Sequence, residues 1–244
     1  MLGTGPAPRS RGLMLTPVQT PTPSTASGVR VGAFFDVDNT LIPGCAIEIR
    51  FFSYLWKRGL VGWSEAARSL WFLLRHIPPV SLHPLRTQKL YLAGKRPSVI
   101  EPLAEEFVRS EICPKLSSDG LAALEAHRRA GHCLALSTGS LDFLVTPLAT
   151  VLDVETVFAA RPERTGDGYT GRLLSPLPYG QGKRDMVESF AIQQGLDLKH
   201  SYAYGDSPGD VEALRLVGYP TVVNPIRGMA RIARRQGWPV ATWE

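Results

Sequence analysis

Short apolar runs alternate with helical periodicities along most of the chain. Residues 31–35 form an apolar run, rich in Val and Phe, that ends abruptly in polar residues and predicts a buried strand. Similar strand signals occur at 132–137, 154–159, 201–204 and 221–223. Helical patterns separate the later strands, at 117–130, 183–194 and 210–217. This alternation predicts an α/β fold with a doubly wound parallel sheet, and residues 164–171 predict a hairpin turn.

The stretch between residues 45 and 130 shows helical periodicity and no convincing strand signal. One helix is predicted over 46–58, and a second over 64–76, with Ser64 as its N-cap and Pro78-Pro79 ending it. Further helices are predicted at 84–93 and 98–111. We therefore expect a helical insertion directly behind the first strand. The predicted boundaries are a core at 30–44 and 115–244, a helical insertion at 45–114 and a leader at 1–29.

Composition bounds the setting of the protein. Residues 16–24 are rich in Pro, Ser and Thr, which predicts a disordered leader, or a chain whose true start is Met14. The three cysteines are far apart and odd in number, so we expect a reducing compartment, the cytoplasm. No apolar run has the length of a transmembrane segment.

The charge balance is basic, with a net charge of +5 and a pI near 9.3. Such a balance favours anionic partners: phosphate esters, nucleic acid or acidic membrane surfaces. Nucleic acid is not expected, because the basic residues are not interleaved with aromatic ones and no binding motif occurs. A basic stripe near the C-terminus predicts a solvated helix face or, alternatively, peripheral contact with acidic lipid; it consists of Arg227, Arg231, Arg234 and Arg235.

Candidate chemistry lies where the predicted strands end. Asp36 and Asp38 follow the first strand, and two carboxylates so close together favour a divalent cation with oxygen ligands. Alternatively, Asp-Val-Asp-Asn simply caps a turn. Residues 137–140 follow the second strand and are expected to open a helix, Lys183 begins a later helix, and 205–210 follow the fourth strand. In a parallel sheet these segments converge on one edge, where ligands bind.

Together these residue types could carry out phosphoryl transfer. An aspartate can act as nucleophile and form an aspartyl-phosphate. A second acid can protonate the leaving oxygen and then activate water. Hydroxyl and backbone N–H groups can hold phosphate oxygens, and a lysine adds a fixed positive charge for the transition state.

The order and spacing of these segments resemble the haloacid dehalogenase superfamily over nearly the whole chain after residue 30. Asp36-Val-Asp-Asn-Thr40 resembles its first motif, Thr138 its second, Lys183 its third and Gly205-Asp-Ser-Pro-Gly-Asp210 its fourth. The resemblance implies a Rossmann-like core, and the helical insertion is similar to the cap of the phosphoserine-phosphatase-like branch, subfamily IB. Because the superfamily's dehalogenases lack an acid at the place of Asp38, the resemblance implies phosphatase or phosphotransferase chemistry.

The resemblance also implies a role for each acidic residue. Asp36 would be the nucleophile and a metal ligand. Asp38 would be the general acid and base, and would bind the metal through its backbone carbonyl. Asp206 would be a further ligand, and Asp210 would support the metal through water or through Lys183. The implied metal is Mg²⁺.

Phosphate binding is assigned by the same resemblance. Thr138 and Gly139 would hold phosphate oxygens, with Lys183 helping. Ser137 is the alternative hydroxyl at this strand end. Strand alternation and the positions of Phe143 and Pro147 favour Thr138.

Departures from the family pattern limit the prediction of the substrate. Phosphoserine phosphatases usually carry a glutamate nine residues after the nucleophile, where this chain has Cys45, and the nearest acid is Glu48. The cap arginine that grips the substrate carboxylate would fall near residues 86–89, where the match is loose. Phosphoserine is therefore possible but not favoured.

The sequence thus predicts a cytoplasmic Mg²⁺-dependent phosphomonoester hydrolase that works through an aspartyl-phosphate on a small phosphorylated metabolite. A phosphotransferase of the same fold is one alternative. A non-catalytic binding or membrane-associated protein that uses the basic C-terminal helix is another.

Overall fold

The structure is a computed structural model that describes residues 28–44, 46–63, 65, 67, 71 and 88–244. Its strands are β1 Gly32–Phe35, β2 Cys133–Leu141, β3 Thr156–Ala160, β4 Pro162–Thr165, β5 Gly168–Leu173, β6 Tyr202–Gly205, β7 Tyr219–Val223 and β8 Val240–Ala241. Six of them form one parallel sheet in the order β3-β2-β1-β6-β7-β8. The predicted α/β fold is confirmed, and β1 lies at the middle of the sheet.

Helices cover both faces of this sheet. They are α1 Ile47–Lys57, α2 Pro97–Phe107, α3 Ser118–Arg129, α4 Asp142–Leu152, α5 Gln181–Gln194, α6 Val211–Leu214 and α7 Met229–Gln236. Successive strand residues point to opposite faces. Phe35 therefore packs in the apolar cluster with α1 to α4, whereas Phe34 packs in the cluster with α5, α6 and α7. Two buried cores thus fix β1 from both sides.

The regular elements described between β1 and β2 are helices and helical turns, apart from isolated bridges that involve Asp38, Ile42 and Gln88. After α1 it contains a 3₁₀ turn at Leu90–Leu92, helix α2, a π turn at Val108–Ile112 and a 3₁₀ turn at Cys113–Lys115. The predicted apolar face of α1 is buried, through Ile47, Phe51, Tyr54 and Leu55. The domain boundaries themselves stay a prediction.

Several predictions for this stretch fall partly or wholly outside the described residues. Of the predicted helix 64–76, the described positions 65, 67 and 71 are helical, whereas Ser64 and Pro78-Pro79 lie outside the described residues. The same holds for Cys45, for residues 84–87 and for the leader up to residue 27. Within the described part of the chain, no helix has the length and apolar character needed to span a bilayer.

The core differs from the prediction at three places. Strand β2 continues to Leu141 and α4 begins at Asp142, so residues 138–140 do not open the helix. These residues lie where the pairing of β2 with β3 is interrupted, between Ser137 and Leu141. The predicted helix 210–217 is shorter than expected, since Asp210 belongs to a 3₁₀ turn at Pro208–Asp210 and α6 covers only Val211–Leu214. Strand β8 was not predicted, since two residues carry no periodicity.

The predicted hairpin is present as β4 and β5. Its strand β5 forms backbone hydrogen bonds with residues 89–95 of the helical insertion. The backbone N–H of Lys89 donates to the carbonyl of Gly171 at 2.7 Å, and that of Gly94 donates to Tyr169 at 2.8 Å. In return, the N–H of Tyr169 donates to Lys95 at 2.9 Å. Residues 89–95 are thereby fixed against β5.

Candidate active site

Three acidic side chains meet at the carboxyl edge of the central strands. Asp36 directly follows β1, and Asp206 directly follows the neighbouring strand β6. The N–H of Asp36 donates to the carbonyl of Tyr204 at 2.9 Å, which continues the ladder up to the site. One carboxylate oxygen each from Asp36, Asp206 and Asp210 lies within 4.8 Å of the other two. These three residues, far apart in sequence, are therefore close enough to share one ion.

Lys183 lies beneath this cluster, in the first turn of α5. Its Nζ donates to Asp36 Oδ1 at 2.9 Å and to Asp210 Oδ1 at 2.5 Å, and all three side chains are buried. Gly205 makes the close approach possible, because a Cβ there would lie only 2.5 Å from the Cβ of Asp210. A side chain at position 205 would displace Asp210 from the lysine.

The cluster holds more negative than positive charge in a buried place. Burial raises the pKa of Asp36 well above its usual value, although the Lys183 ammonium acts to lower it. Burial and the nearby Asp210 raise the pKa of Asp206 to about 6. Burial acts to lower the pKa of Lys183, but the carboxylates of Asp210 and Asp36 outweigh it, and this pKa is raised. A divalent cation with oxygen ligands fits the remaining negative charge.

The hydrogen bonds indicate which oxygens a cation could use. Both oxygens of Asp210 are engaged, one by Lys183 and the other by the N–H and Oγ of Ser207 at 3.0 and 2.9 Å. Asp206 Oδ2 accepts the Asn39 amide at 3.1 Å, and Ser207 also hydrogen-bonds to the Asp206 carboxylate. Asp36 Oδ2 accepts only a long hydrogen bond among the described residues, from the Thr40 hydroxyl at 3.4 Å. The oxygens of Asp36 and Asp206 are therefore less tightly engaged than those of Asp210.

Two asparagines support this arrangement, and the sequence analysis missed them. Asn39 and Asn224 both adopt left-handed backbone conformations, which asparagine tolerates better than most residues. The side-chain amide of Asn39 donates to the Asn224 carbonyl at 2.8 Å, and that of Asn224 donates to the Asn39 carbonyl at 3.0 Å. The only signal in the sequence was an Asn directly after Asp38.

Asp38 is separate from the carboxylate cluster. Its Oδ1 accepts the backbone N–H of Ile47, the first residue of α1, at 2.7 Å. Its Oδ2 accepts the Ser140 hydroxyl at 2.5 Å and the Thr138 hydroxyl at 3.4 Å. Three hydrogen bonds therefore orient this carboxylate. Ser140 lies in the predicted segment 137–140, but no pattern in the sequence pointed to its contact with Asp38.

The structure separates the two hydroxyls considered for phosphate binding. Thr138 and Gly139 line the cavity that contains Asp36 and Lys183, and Thr138 Oγ1 accepts the N–H of Ser140 at 3.1 Å. Ser137 Oγ instead reaches a small cavity of about 10 Å³, and it has no hydrogen-bond partner among the described residues. This placement favours Thr138, whose role remains a prediction.

Two adjoining cavities open at this edge of the sheet. The first, of about 350 Å³, contains the acidic cluster, Lys183 and Thr138, and we call it the reaction cavity. The second, of about 530 Å³, lies against α1 and residues 88–91, and we call it the side cavity. The two share part of their walls, namely Asp38, Ala46, Ile49, Gly139, Pro178, Tyr179 and Arg227.

Glu48 and Lys89, which lie near the two departures from the phosphoserine-phosphatase pattern, line the side cavity. Glu48 Oε2 accepts Lys89 Nζ at 2.7 Å, and Glu48 Oε1 accepts the Tyr91 hydroxyl at 3.2 Å. Lys89 falls in the segment expected to supply a cap arginine, and Arg86 lies outside the described residues. The predicted basic stripe is exposed at all four arginines, and of these only Arg227 lines the two cavities.

Comparisons with known proteins agree with this geometry. The profile of the haloacid dehalogenase-like hydrolases matches residues 33–215. A phosphoserine phosphatase of Mycobacterium tuberculosis is 29% identical, over 96% of this chain and 80% of that protein. A histidinol-phosphatase of Neisseria meningitidis is also 29% identical, over 87% of this chain and 98% of that protein. A Bordetella pertussis crystal structure of unknown function is 30% identical, with a TM-score of 0.75 over 87% of this chain and 98% of that one.

Proposed function

We propose that this chain, which belongs to the haloacid dehalogenase-like hydrolase family, is a Mg²⁺-dependent phosphomonoester hydrolase of the cytoplasm that works through an aspartyl-phosphate. One observation carries the proposal: Asp36, Asp206 and Lys183 meet at one edge of the sheet, with Asp38 hydrogen-bonded beside them. The substrate is a small phosphorylated metabolite. The similar phosphatases carry two different substrate names, phosphoserine and histidinol phosphate, so names alone do not choose a substrate.

In the first step, a carboxylate oxygen of Asp36 attacks the phosphorus atom. The bond between phosphorus and the leaving-group oxygen breaks, and Asp38 gives its proton to that oxygen, so that an alcohol departs. Ser140 and the N–H of Ile47 hold the Asp38 carboxyl in place for this transfer. The product on the enzyme is an acyl phosphate on Asp36.

In the second step, Asp38 takes a proton from water, and the water oxygen attacks the phosphorus. The bond between phosphorus and Asp36 breaks, inorganic phosphate leaves, and both aspartates return to their starting states. Lys183 keeps a positive charge beside Asp36 throughout, because its pKa is raised by the two carboxylates around it. The Thr138 hydroxyl and the backbone at Gly139 hold phosphate oxygens.

Asp36, Asp206 and the backbone carbonyl of Asp38 would hold Mg²⁺. When bound, the ion supplies positive charge that offsets the charge of the phosphate and of the acidic cluster. The chain's own residues provide the fit, since the buried carboxylates outnumber the single buried lysine beside them.

The test is phosphate release from p-nitrophenyl phosphate, with Mg²⁺ and with EDTA. We expect Mg²⁺-dependent turnover, and we expect Asp36→Asn to lower kcat by at least about 10⁴-fold, because it removes the nucleophile. Asp197→Asn, away from the site, is the matched control and keeps full activity. Unchanged activity of the Asp36→Asn protein would refute the mechanism.

Two further measurements separate the alternatives. Transfer to an added alcohol, seen as a new phosphate ester, would identify a phosphotransferase. No turnover on a broad panel of phosphate esters, together with tight binding to acidic liposomes, would instead favour a non-catalytic membrane-associated protein.

A further inference from the structure

The side cavity has mostly apolar walls. Carbon-rich side chains from α1, from the turn at residues 90–92 and from the loop before α5 form them: Ile49, Phe52, Leu90, Tyr91, Leu177 and Pro178. Its volume of about 530 Å³ is within the usual range for small-molecule sites. Since it adjoins the reaction cavity at Asp38, a group leaving from phosphorus toward Asp38 enters it.

Four of the described lining residues carry a charge. Asp38 belongs to the reaction, and Arg227 is exposed at the rim. The other two, Glu48 and Lys89, form an ion pair at 2.7 Å, with side chains only 16% and 13% exposed. The interior of the side cavity therefore presents no net fixed charge from the residues described.

The ion pair is closed by a third group. Lys89 Nζ donates to Glu48 Oε2, and the Tyr91 hydroxyl donates to Glu48 Oε1. Burial and the neighbouring Glu48 raise the pKa of Tyr91 well above its usual value, so the hydroxyl stays a donor. Both carboxylate oxygens are thus already occupied by donors of this chain.

The pair is also held by the backbone on both sides. Glu48 lies in the first turn of α1, beside Ile47, whose N–H binds Asp38. Lys89 is fixed against β5 by its N–H bond to Gly171. A charged ligand group that approached either residue would also meet the opposite charge of its partner only 2.7 Å away, so the pair offers it little net attraction.

We infer that the side cavity receives the leaving group of the substrate and selects leaving groups that are uncharged and largely apolar. This inference rests on the proposed hydrolase function. A zwitterionic leaving group such as serine would lose hydration on entry and, among the described residues of the interior, meet a self-neutralised pair, whereas an aromatic or aliphatic group gains from leaving water. Glu48 and Lys89 are then specificity-determining residues that exclude charge.

The first experiment compares phosphate esters of primary alcohols, so that the chemical reactivity of the leaving groups is similar. Ethyl phosphate is the small reference, 2-phenylethyl phosphate is apolar, and phosphoserine, phosphoethanolamine and phosphoglycolate are charged. We expect kcat/KM for 2-phenylethyl phosphate to exceed that for each charged ester by at least about tenfold. A charged ester that equals or exceeds it overturns the inference, provided ethyl phosphate is turned over. If no ester is hydrolysed, the proposed function itself fails.

The second experiment unbalances the pair. Glu48→Gln leaves Lys89 unpaired, and we expect kcat/KM for phosphoglycolate, relative to ethyl phosphate, to rise about tenfold. Lys89→Met leaves Glu48 unpaired and should raise kcat/KM for phosphoethanolamine, relative to ethyl phosphate, by a similar factor. The double variant should return to the wild-type preference.

The matched control is a second ion pair of the same length, outside both cavities. Arg58 and Glu106 lie 2.7 Å apart and are exposed, so Glu106→Gln should leave every substrate ratio unchanged. Should both single variants keep the wild-type ratios, the pair does not set specificity. If one of them does not fold, the other variant and the wild-type panel still decide.

Discussion

The reaction cavity and the side cavity share a wall but differ in the balance of their buried charges. In the reaction cavity, three buried carboxylates meet one buried lysine, and the pKa values of Asp36 and Asp206 are raised. In the side cavity, Glu48 and Lys89 cancel each other between apolar walls. An excess of charge prepares a site for a cation and a phosphate, whereas a neutral pair leaves shape and apolar contact to choose the ligand.

The two cavities also differ in the elements that build them. The reaction cavity is lined from the ends of β1 and β6, from residues near the end of β2 and from the start of α5, all parts of the sheet and its crossover helix. The side cavity takes much of its lining from α1 and residues 88–91, in the helical insertion. Variants of the first should therefore affect all substrates alike, and variants of the second should act on one class.

The largest effect that tests this separation is expected at Lys183. Lys183→Met removes the ammonium between Asp36 and Asp210, and we expect kcat to fall roughly 10³-fold for ethyl and 2-phenylethyl phosphate alike. Initial rates of phosphate release measure it. Lys199→Met, at an exposed lysine, serves as the control. A change in the ratio of the two substrates would show that the cavities do not act separately.

Ser140 lies at the shared wall and should give the next largest effect. Ser140→Ala removes the hydroxyl bound to Asp38, and a hydrogen bond to a charged group of this kind corresponds to roughly 10- to 100-fold in kcat. The loss should be smaller for p-nitrophenyl phosphate, whose leaving oxygen needs less protonation. Ser137→Ala is the matched control, with no expected loss. An equal loss of kcat for p-nitrophenyl phosphate and for an alkyl ester such as ethyl phosphate would argue against a role through Asp38.

The smallest expected effect is the pH dependence of Mg²⁺ binding. Asp206 must lose its proton to bind the ion, and the pKa of Asp36 is raised as well, so below pH about 6 the apparent affinity should fall by at least about tenfold per pH unit. Without Mg²⁺, the folded state keeps this proton between pH 3.8 and about 6 while the unfolded state loses it. The free energy of unfolding of the metal-free protein therefore falls as pH rises through this window.

Thermal unfolding with and without Mg²⁺ at pH 5, 6 and 7 measures both trends. We expect the rise in Tm that Mg²⁺ produces to grow with pH. The ratio of kcat/KM values for two substrates should not change over the same range, because the side cavity takes no part. A Tm increase that is independent of pH would contradict the assignment of Asp206.

The sequence predicted the parallel α/β sheet because strand and helix periods are local properties. It also predicted that Asp36 and Asp206 lie at the same edge of the sheet, because each follows a strand with a clear apolar pattern, and the structure places them together. It was wrong about the helix start after Ser137, where a break in strand pairing carries the chain on to Leu141. That break depends on the partner strand, and no local pattern shows it.

The sequence alone therefore determined which acidic, hydroxyl and ammonium groups follow the strands, because each motif consists of residues close together in the chain. Only the tertiary structure decided how they are held. Asn39 hydrogen-bonds to Asn224 across 185 residues of sequence, and Lys89 hydrogen-bonds to Glu48 across 41 residues. Such contacts arise from the packing of distant elements, so the charge of each cavity became apparent only in three dimensions.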